Sequence, residues 1–201
     1  FGFANLFILM GVNSFDASMV VANSAASNSD PLVYNIMSAF YVACSTFIGQ
    51  NYGAEKKSRV LKSYFISLAC SFCFALFLGI LLFIFGRNFI SIFISDSAII
   101  ELGMRRLSIM AFSYCISAFM DCTIAASRGL GQTSVPTVIV ILGSCVFRIA
   151  WIFSVFAYFK TIESLYLLFA FSWTITAVAE IFYFARLYKQ KFSVSALKAQ
   201  Q

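Results

Sequence analysis

Residues 64–85 read YFISLACSFCFALFLGILLFIF, 22 positions without a single charged side chain. A bilayer core about 30 Å thick takes about 20 apolar helical residues to cross. The pattern recurs outward from this stretch. Pro31 to Ala54 is uncharged, as are Gly129 to Phe147 and Ser164 to Ala179. A lone Arg148 and a lone Glu180 follow the last two runs. Nothing in a soluble domain demands that length repeatedly, so the chain reads as a polytopic membrane protein. Its secondary structure must then be helical. In lipid each backbone polar group is satisfied within its own segment or in a closed barrel. Barrel strands are about 10 residues long and alternate in polarity, unlike these runs.

The composition agrees. Apolar residues make up 61% of the chain and charged residues 11%, against about 25% charged in soluble domains. The net charge of +6 does not point to nucleic acid, because the cations cluster in short connectors beside apolar runs, as membrane topology produces. There is no initiator Met and no signal-peptide pattern, and Phe1 already lies in an apolar segment. The chain therefore reads as a piece of something longer. All six cysteines fall inside apolar runs. Cys70 and Cys73 have the spacing of half a zinc or redox site, but there is no second pair and no His. Apolar packing explains them, and no metal or cofactor is expected.

Six helical segments follow: Phe1 to about Phe15, Met19 to Gln50 with a bend near Pro31, Val60 to Phe85, Ala98 to Ser127, Val135 to Tyr158 and Glu163 to Tyr188. Arg87 to Asp96 is too short to cross and reads as interfacial. The transmembrane body is thus 1–188, with a polar tail at 189–201. Nine Lys and Arg residues lie in the 50s connector, at Arg128 and in the C-terminal region, against four (Arg87, Arg105, Arg106, Lys160) on the opposite side. The positive-inside rule puts the nine in the cytoplasm. The C-terminus is then cytoplasmic, and the six spans alternate without conflict.

Two connectors on that side are specific in wording. One is Phe47-Ile-Gly-Gln-Asn-Tyr-Gly-Ala-Glu-Lys-Lys57, with Gly49 and Gly53. The other is Ser127-Arg-Gly-Leu-Gly-Gln-Thr-Ser-Val-Pro136, with Arg128, Gly129, Gly131 and Pro136. Gly53 suits the left-handed residue that ends a helix. Gly129 and Gly131 let the chain reverse, and Pro136 suits a first helical turn. At these residues, and at Ala22 to Ser27 and Arg148 to Ile152, the chain resembles the C-terminal half of the multidrug and toxic compound extrusion (MATE) family, essentially throughout and in order. The resemblance implies a twelve-helix, two-lobed antiporter of bacterial inner (plasma) membranes. It would export organic, often cationic, compounds by alternating access, driven by inward flow of Na⁺ or H⁺. This chain would supply one six-helix lobe, with the N-terminal lobe of the same protein as its partner.

Ionisable residues within spans cost about 2.5–3.5 kcal/mol on insertion scales and are functional hypotheses for that reason. Asp121 lies less than two turns from the cytoplasmic end of the fourth span. It reads either as a cation or proton site facing a cavity or as an acid that snorkels or pairs with a neighbouring helix. Burial disfavours a charged carboxylate and a bound cation favours it, which is the physics of an ion-coupled switch. The resemblance implies a carboxylate on this helix, in some members about one turn further from Arg128-Gly129. Arg148, midway along the fifth span, needs a partner, and Asp121 or Glu180 could serve. An ion pair holding the lobe together and a substrate contact are both open to it. Glu180 reads as that partner, as a headgroup contact or as a further site. Asn13, Asn35 and Gln50 could line a cavity or bond across helices. Asp16, at the outer end of the first segment, reads as solvated. The family pattern has an acid inside this helix, where residues 1–15 offer Asn5, Asn13 and Ser14 as their polar groups.

Three other functions compete. A lipid-linked oligosaccharide flippase of the wider superfamily needs a strongly cationic cavity, and these spans offer one arginine. An intramembrane enzyme needs a catalytic cluster such as a His-Glu-x-x-His pattern or facing aspartates. The absence of His and the scattered acids disfavour one. A truncated, inactive lobe is compatible with the residues.

Overall fold

The computed structural model describes residues 2–198, and its side chains between 4 and 192. Phe1 and residues 199–201, which open the expected first segment and close the expected tail, lie outside the described residues. The chain is helical: α1 is Gly2–Val12, α2 Ala17–Ser27, α3 Ser29–Gly53, α4 Lys57–Ser91 and α5 Ser97–Gly129. α6 covers the span Ser134–Phe159, with π-helical stretches at Ile141–Val146 and Ile152–Phe156, and α7 is Ile162–Lys198. Among the described residues, five spans are long and apolar enough to cross a membrane, counting α2 and α3 as one. α1, with 11 residues, is shorter than the about 20 that a crossing takes.

Several expected boundaries move. The bend expected near Pro31 is a break at Asn28, between α2 and α3. Pro31 occupies the first turn of α3. There its ring would clash with the carbonyl of Ser27, four residues back, so the helix before it must end. The stretch Arg87 to Asp96 is not an element of its own. Residues 87–91 close α4, 92–93 form a turn, and Asp96 caps α5 by accepting the Ala98 N–H at 2.8 Å. Arg87 pairs with Glu101 across this connector. Asp16 caps α2 in the same way, accepting from Met19 at 2.9 Å. α7 runs past Tyr188 to Lys198, so helix continues into the expected tail.

α5 is the axis of the bundle. It packs against α2, α3, α4 and α7, and 67% of its most apolar window is buried, against 22–39% for the other spans. α4 turns Phe65, Ile66, Phe77, Ile80, Phe83 and Ile84 outward. Such a face belongs against lipid. Without a hydrophobic drive between helices in lipid, close packing depends on small residues. Gly79 lies against the Ala111 carbonyl, and a Cβ on Gly129 would meet the Ser45 carbonyl at 2.7 Å and Ile48 at 2.9 Å. Gly129 is thus needed for the approach of α5 to α3.

The two specific connectors share one geometry. After α5, Gln132 N–H donates to Ser127 O (3.1 Å) and Gly131 N–H to Arg128 O (2.9 Å), with Gly131 at φ +79°. After α3, Lys56 N–H donates to Asn51 O (2.9 Å) and Glu55 N–H to Tyr52 O (3.0 Å), with Glu55 at φ +57°. Both are Schellman caps. The expectation for Gly53 is therefore corrected: it is the last helical residue, and the left-handed position falls two residues later, on Glu55. Gly49 faces Gly129 across the helix crossing, and Pro136 sits in the first turn of α6. A left-handed residue other than glycine costs about 1–2 kcal/mol. Glu55 is exposed, and a Cβ on Gly131 meets nothing within 4 Å. Glu55→Gly should accordingly stabilise, and Gly131→Ala destabilise, by about 1 kcal/mol each. Thermal unfolding in detergent checks this; shifts of the same sign would contradict it.

Candidate functional site

α1, α3, α5, α6 and α7 line a cavity of about 450 Å³. A wider hollow of about 740 Å³ lies at the 50s connector, beside Lys56, Lys57 and Arg59. Its lining is mostly exposed and lies at the ends of α4 and α7, so the inner cavity is the site of interest. The inner lining is apolar and aromatic, with Met37, Met110 and Met120 beside Tyr34, Tyr41, Tyr114, Phe169 and Trp173. Three charged residues reach it: Asp30, Asp121 and Arg148.

Asp30 stands in the first turn of α3, just past the break that Pro31 imposes. Arg106 on α5 grips its carboxylate as a fork, Nη2 to Oδ2 at 2.5 Å and Nη1 to Oδ1 at 3.3 Å. The Tyr114 hydroxyl donates to Asp30 Oδ1 at 2.6 Å and lies 3.2 Å from the Ser29 hydroxyl. The Arg106 side chain is 5% exposed and that of Asp30 35%. The fork brings together residues 76 apart in sequence. Sequence reasoning missed it. Asp30 sits in a polar stretch that reads as a bend, and Arg106 reads as part of the outer connector. A signal was present: Arg106 lies more than two turns past the Asp96 cap, too deep in an amphiphilic helix start to be a loop residue.

Asp121 lines the cavity from α5 and, among the described residues, makes no hydrogen bond or ion pair. Tyr41 lines the same cavity, and its buried hydroxyl has no hydrogen-bond partner among the described residues. Arg148 enters from α6. Its Nε donates to Ser172 Oγ at 3.1 Å, and its guanidinium lies 4.6 Å from the Phe169 ring centre and 6.0 Å from that of Trp173. Cation–π contact of this kind suits a desolvated arginine. Arg148 sits in an α-helical turn, Phe147–Trp151, between the two π-helical stretches. Such widened turns re-aim side chains and often mark functional sites. The expected ion pair does not form: among the described residues neither Asp121 nor Glu180 bonds to Arg148. A serine hydroxyl and two aromatic faces hold the guanidinium instead.

Glu180 does not reach the cavity. It is fully buried on α7, and neither carboxylate oxygen has a hydrogen-bond partner among the described residues. Asn13 is exposed in the turn after α1, Asn35 is exposed on α3, and Gln50 is exposed near the end of α3. None of the three lines the cavity. Asn5, on α1, does. Arg128, part of the turn motif, is exposed near the end of α5, and its carbonyl accepts from Gly131 in the cap.

The arrangement can hold a compact organic molecule against aromatic and Met side chains, with an unpaired carboxylate within reach. Cations bind aromatic faces and carboxylates together, and Met surfaces adapt to varied shapes.

A family model described as MatE matches residues 2–153. The probable multidrug resistance protein NorM of Thermotoga maritima is 26% identical over 158 residues, which cover 79% of this chain and 33% of the relative. The probable multidrug resistance protein NorM of Photorhabdus laumondii is 24% identical over 114 residues, 57% of this chain and 24% of the relative. The crystal structure of the Vibrio cholerae MATE transporter VcmN in the bent form superimposes with a TM-score of 0.83 at 17% identity. That match covers 94% of this chain and 43% of that one. The matched part is at most a third of the length of these curated relatives.

Proposed function

The chain belongs to the MatE family, and from that premise we propose that it is one six-helix lobe of a secondary antiporter. The antiporter exports organic, often cationic, compounds from a bacterial cell. It sits in the inner membrane with the C-terminus cytoplasmic, and a second lobe completes it. Transport is by alternating access and leaves the substrate chemically unchanged. Na⁺ or H⁺ entering from outside drives it.

One observation carries this reading: Asp121 is a carboxylate in the wall of a membrane-embedded cavity with no hydrogen bond or ion pair among the described residues. Its charge is free to be matched by a coupling ion, by a proton or by a cationic substrate, and a ligand shifts a conformational equilibrium only by its differential affinity for the two states. Competition between substrate and ion for one carboxylate supplies that difference. Arg148 bounds the cavity on the opposite chemistry and would hold off a second cation. The flippase alternative asks for a pyrophosphate-binding, strongly cationic cavity. Here one arginine faces two carboxylates, which speaks against it.

The test is efflux by the full-length protein in vesicles, with ethidium as the probe cation and Na⁺ and pH gradients imposed separately. One gradient should drive efflux against the ethidium gradient. Ethidium movement that neither gradient alters would overturn the antiporter reading.

A further inference from the structure

The hollow beside the 50s connector has no part in the transport cycle proposed above, yet its walls are organised. Lys56, Lys57 and Arg59 line it, with Glu55, Ser58 and Leu61 beside them and Tyr188 from α7. Three cations thus share one concavity with a single carboxylate. The side chains of Glu55, Lys56 and Arg59 are exposed and make no hydrogen bond or ion pair among the described residues. A concavity dominated by one sign of charge focuses its field and concentrates the opposite ion. Aromatic rings hold the cluster in place. Lys57 Nζ lies 5.8 Å from the Tyr188 ring centre and 5.9 Å from that of Phe192, and Lys191 Nζ lies 5.6 Å from that of Tyr52. Tyr52 and Phe192 meet edge to face with centres 5.8 Å apart, and the Tyr188 hydroxyl donates to the Lys57 carbonyl at 3.1 Å. The end of α3 and the last turns of α7 therefore fix the start of α4. A ring face orders an ammonium without neutralising it, so Lys57 keeps its charge for a ligand.

Depth decides the kind of anion. Arg59 stands five residues before Tyr64, where the uncharged run begins. That is about 7.5 Å along a helix that rises about 1.5 Å per residue. The polar layers widen a bilayer from about 30 Å to about 40–45 Å, roughly 5–8 Å on each side. The hollow accordingly lies at headgroup level. One turn deeper its wall becomes apolar. Leu61, in the hollow, shares a helix face with Phe65, and Phe65 and Ile66 are exposed on the face of α4 that belongs against lipid. A free anion would use the cations alone. A phospholipid would use both the cations and the apolar stripe that continues from them. Lys and Arg are the side chains that bind phosphate, and basic pockets beside membrane helices recognise anionic headgroups.

We infer that this hollow is a binding site for one anionic phospholipid, its phosphate on Lys56, Lys57 and Arg59 and its acyl chains along Leu61 and Phe65. A lipid seated there bridges the start of α4 and the last turns of α7, because Tyr188 and the three cations form one wall. The inference asks that the spans lie in a bilayer. It draws nothing from the coupling ion, the substrate or Asp121, so ethidium efflux that neither gradient alters would overturn the antiporter reading and leave this one standing.

The experiment is native mass spectrometry of the purified full-length protein in uncharged detergent, titrated with phosphatidylglycerol and, separately, with phosphatidylcholine of the same chains. Phosphatidylglycerol should bind more tightly. Lys56→Gln and Arg59→Gln should each weaken it about fivefold, which is the roughly 1 kcal/mol that a Lys or Arg contributes beside an anionic lipid surface. Both side chains are exposed and unbonded among the described residues, so thermal unfolding of these variants should match that of the unmodified protein. Arg128→Gln removes an exposed charge that does not line the hollow, and it should leave phosphatidylglycerol binding unchanged. Equal binding of the two lipids, unweakened binding in Lys56→Gln and Arg59→Gln, or an equal loss in Arg128→Gln would each overturn the inference. Displacement of the lipid by millimolar inorganic phosphate would assign the hollow to a free anion and overturn it as well.

Discussion

Asp121→Asn in the full-length protein should abolish ion-coupled efflux while leaving membrane insertion and stability intact. The two halves of that expectation come from the same observation. Asp121 faces the cavity and makes no hydrogen bond or ion pair among the described residues, so the amide, nearly identical in shape, breaks no contact. A near-isosteric change that breaks no hydrogen bond or ion pair removes no stabilising contact, and removing an unpaired charge from a span can only ease insertion. The loss of function has a different origin. Asn cannot exchange a proton or neutralise a cation, so ligand occupancy no longer biases one conformation over the other. Coupling free energies of about 1–3 kcal/mol correspond to roughly 5–150-fold effects, and a loss in that range is expected for gradient-driven ethidium efflux. Downhill ethidium exchange, which needs no coupling ion, should fall less. The decisive comparison is thermal unfolding beside transport. If the variant loses stability in proportion to its transport, Asp121 is a structural residue and its role in coupling is void. Transport equal to that of the unmodified protein removes it from the mechanism as well.

The fold was far more legible than the site, for physical reasons. Long uncharged runs such as 64–85 and 129–147 are dictated by the bilayer itself, so fold class can be read from local composition. Helix ends were less legible. Gly53 looked like the residue that turns left-handed, yet the helix holds through it and Glu55 takes that conformation, because a Schellman cap depends on which carbonyls find donors and not on where glycine stands. Arg87 to Asp96 read as a stretch of its own, but its first five residues continue α4 and its last caps α5. Within the site, Asp121 could be found by its position in an apolar span. The partners could not. Arg148 was expected to meet an acid and instead lies on Phe169 and Ser172. Which side of α6 faces α7 depends on two π-helical turns that nothing in the residue pattern announces. Asp30 and Arg106 were missed because each looks ordinary alone. Their meaning lies in a contact across 76 residues.

That contact carries the largest stability effect expected in the lobe, and an asymmetric one. Breaking a buried ion pair by removing one partner costs about 3–5 kcal/mol, because the other charge is left uncompensated. The two partners differ in how well they survive alone. Asp30→Leu strands the guanidinium of Arg106, 5% exposed, and also deprives the Tyr114 hydroxyl of its acceptor on Asp30. That variant should fall at the upper end of the range. Arg106→Met strands Asp30, but its side chain is 35% exposed to the cavity and keeps the 2.6 Å bond from Tyr114. Its loss should be smaller, about 1–3 kcal/mol, the cost of leaving a buried polar group short of a partner. The double variant Asp30→Leu with Arg106→Met replaces both charges by apolar groups of similar volume. Such replacements are often neutral or even stabilising, so it should recover most of the loss. A double-mutant cycle on thermal unfolding of the full-length protein in detergent reads all three. Additive losses, or a larger loss for Arg106→Met than for Asp30→Leu, would mean that the fork is not what fixes α3 against α5. If the cycle behaves as expected, the double variant becomes informative about transport. The fork pins the break at Asn28, and with it the first turn of α3 and the end of the cavity where Asp30 and Tyr34 stand. A lobe restored in stability but altered in ethidium efflux would show that this end of the cavity must carry charge as well as hold its shape.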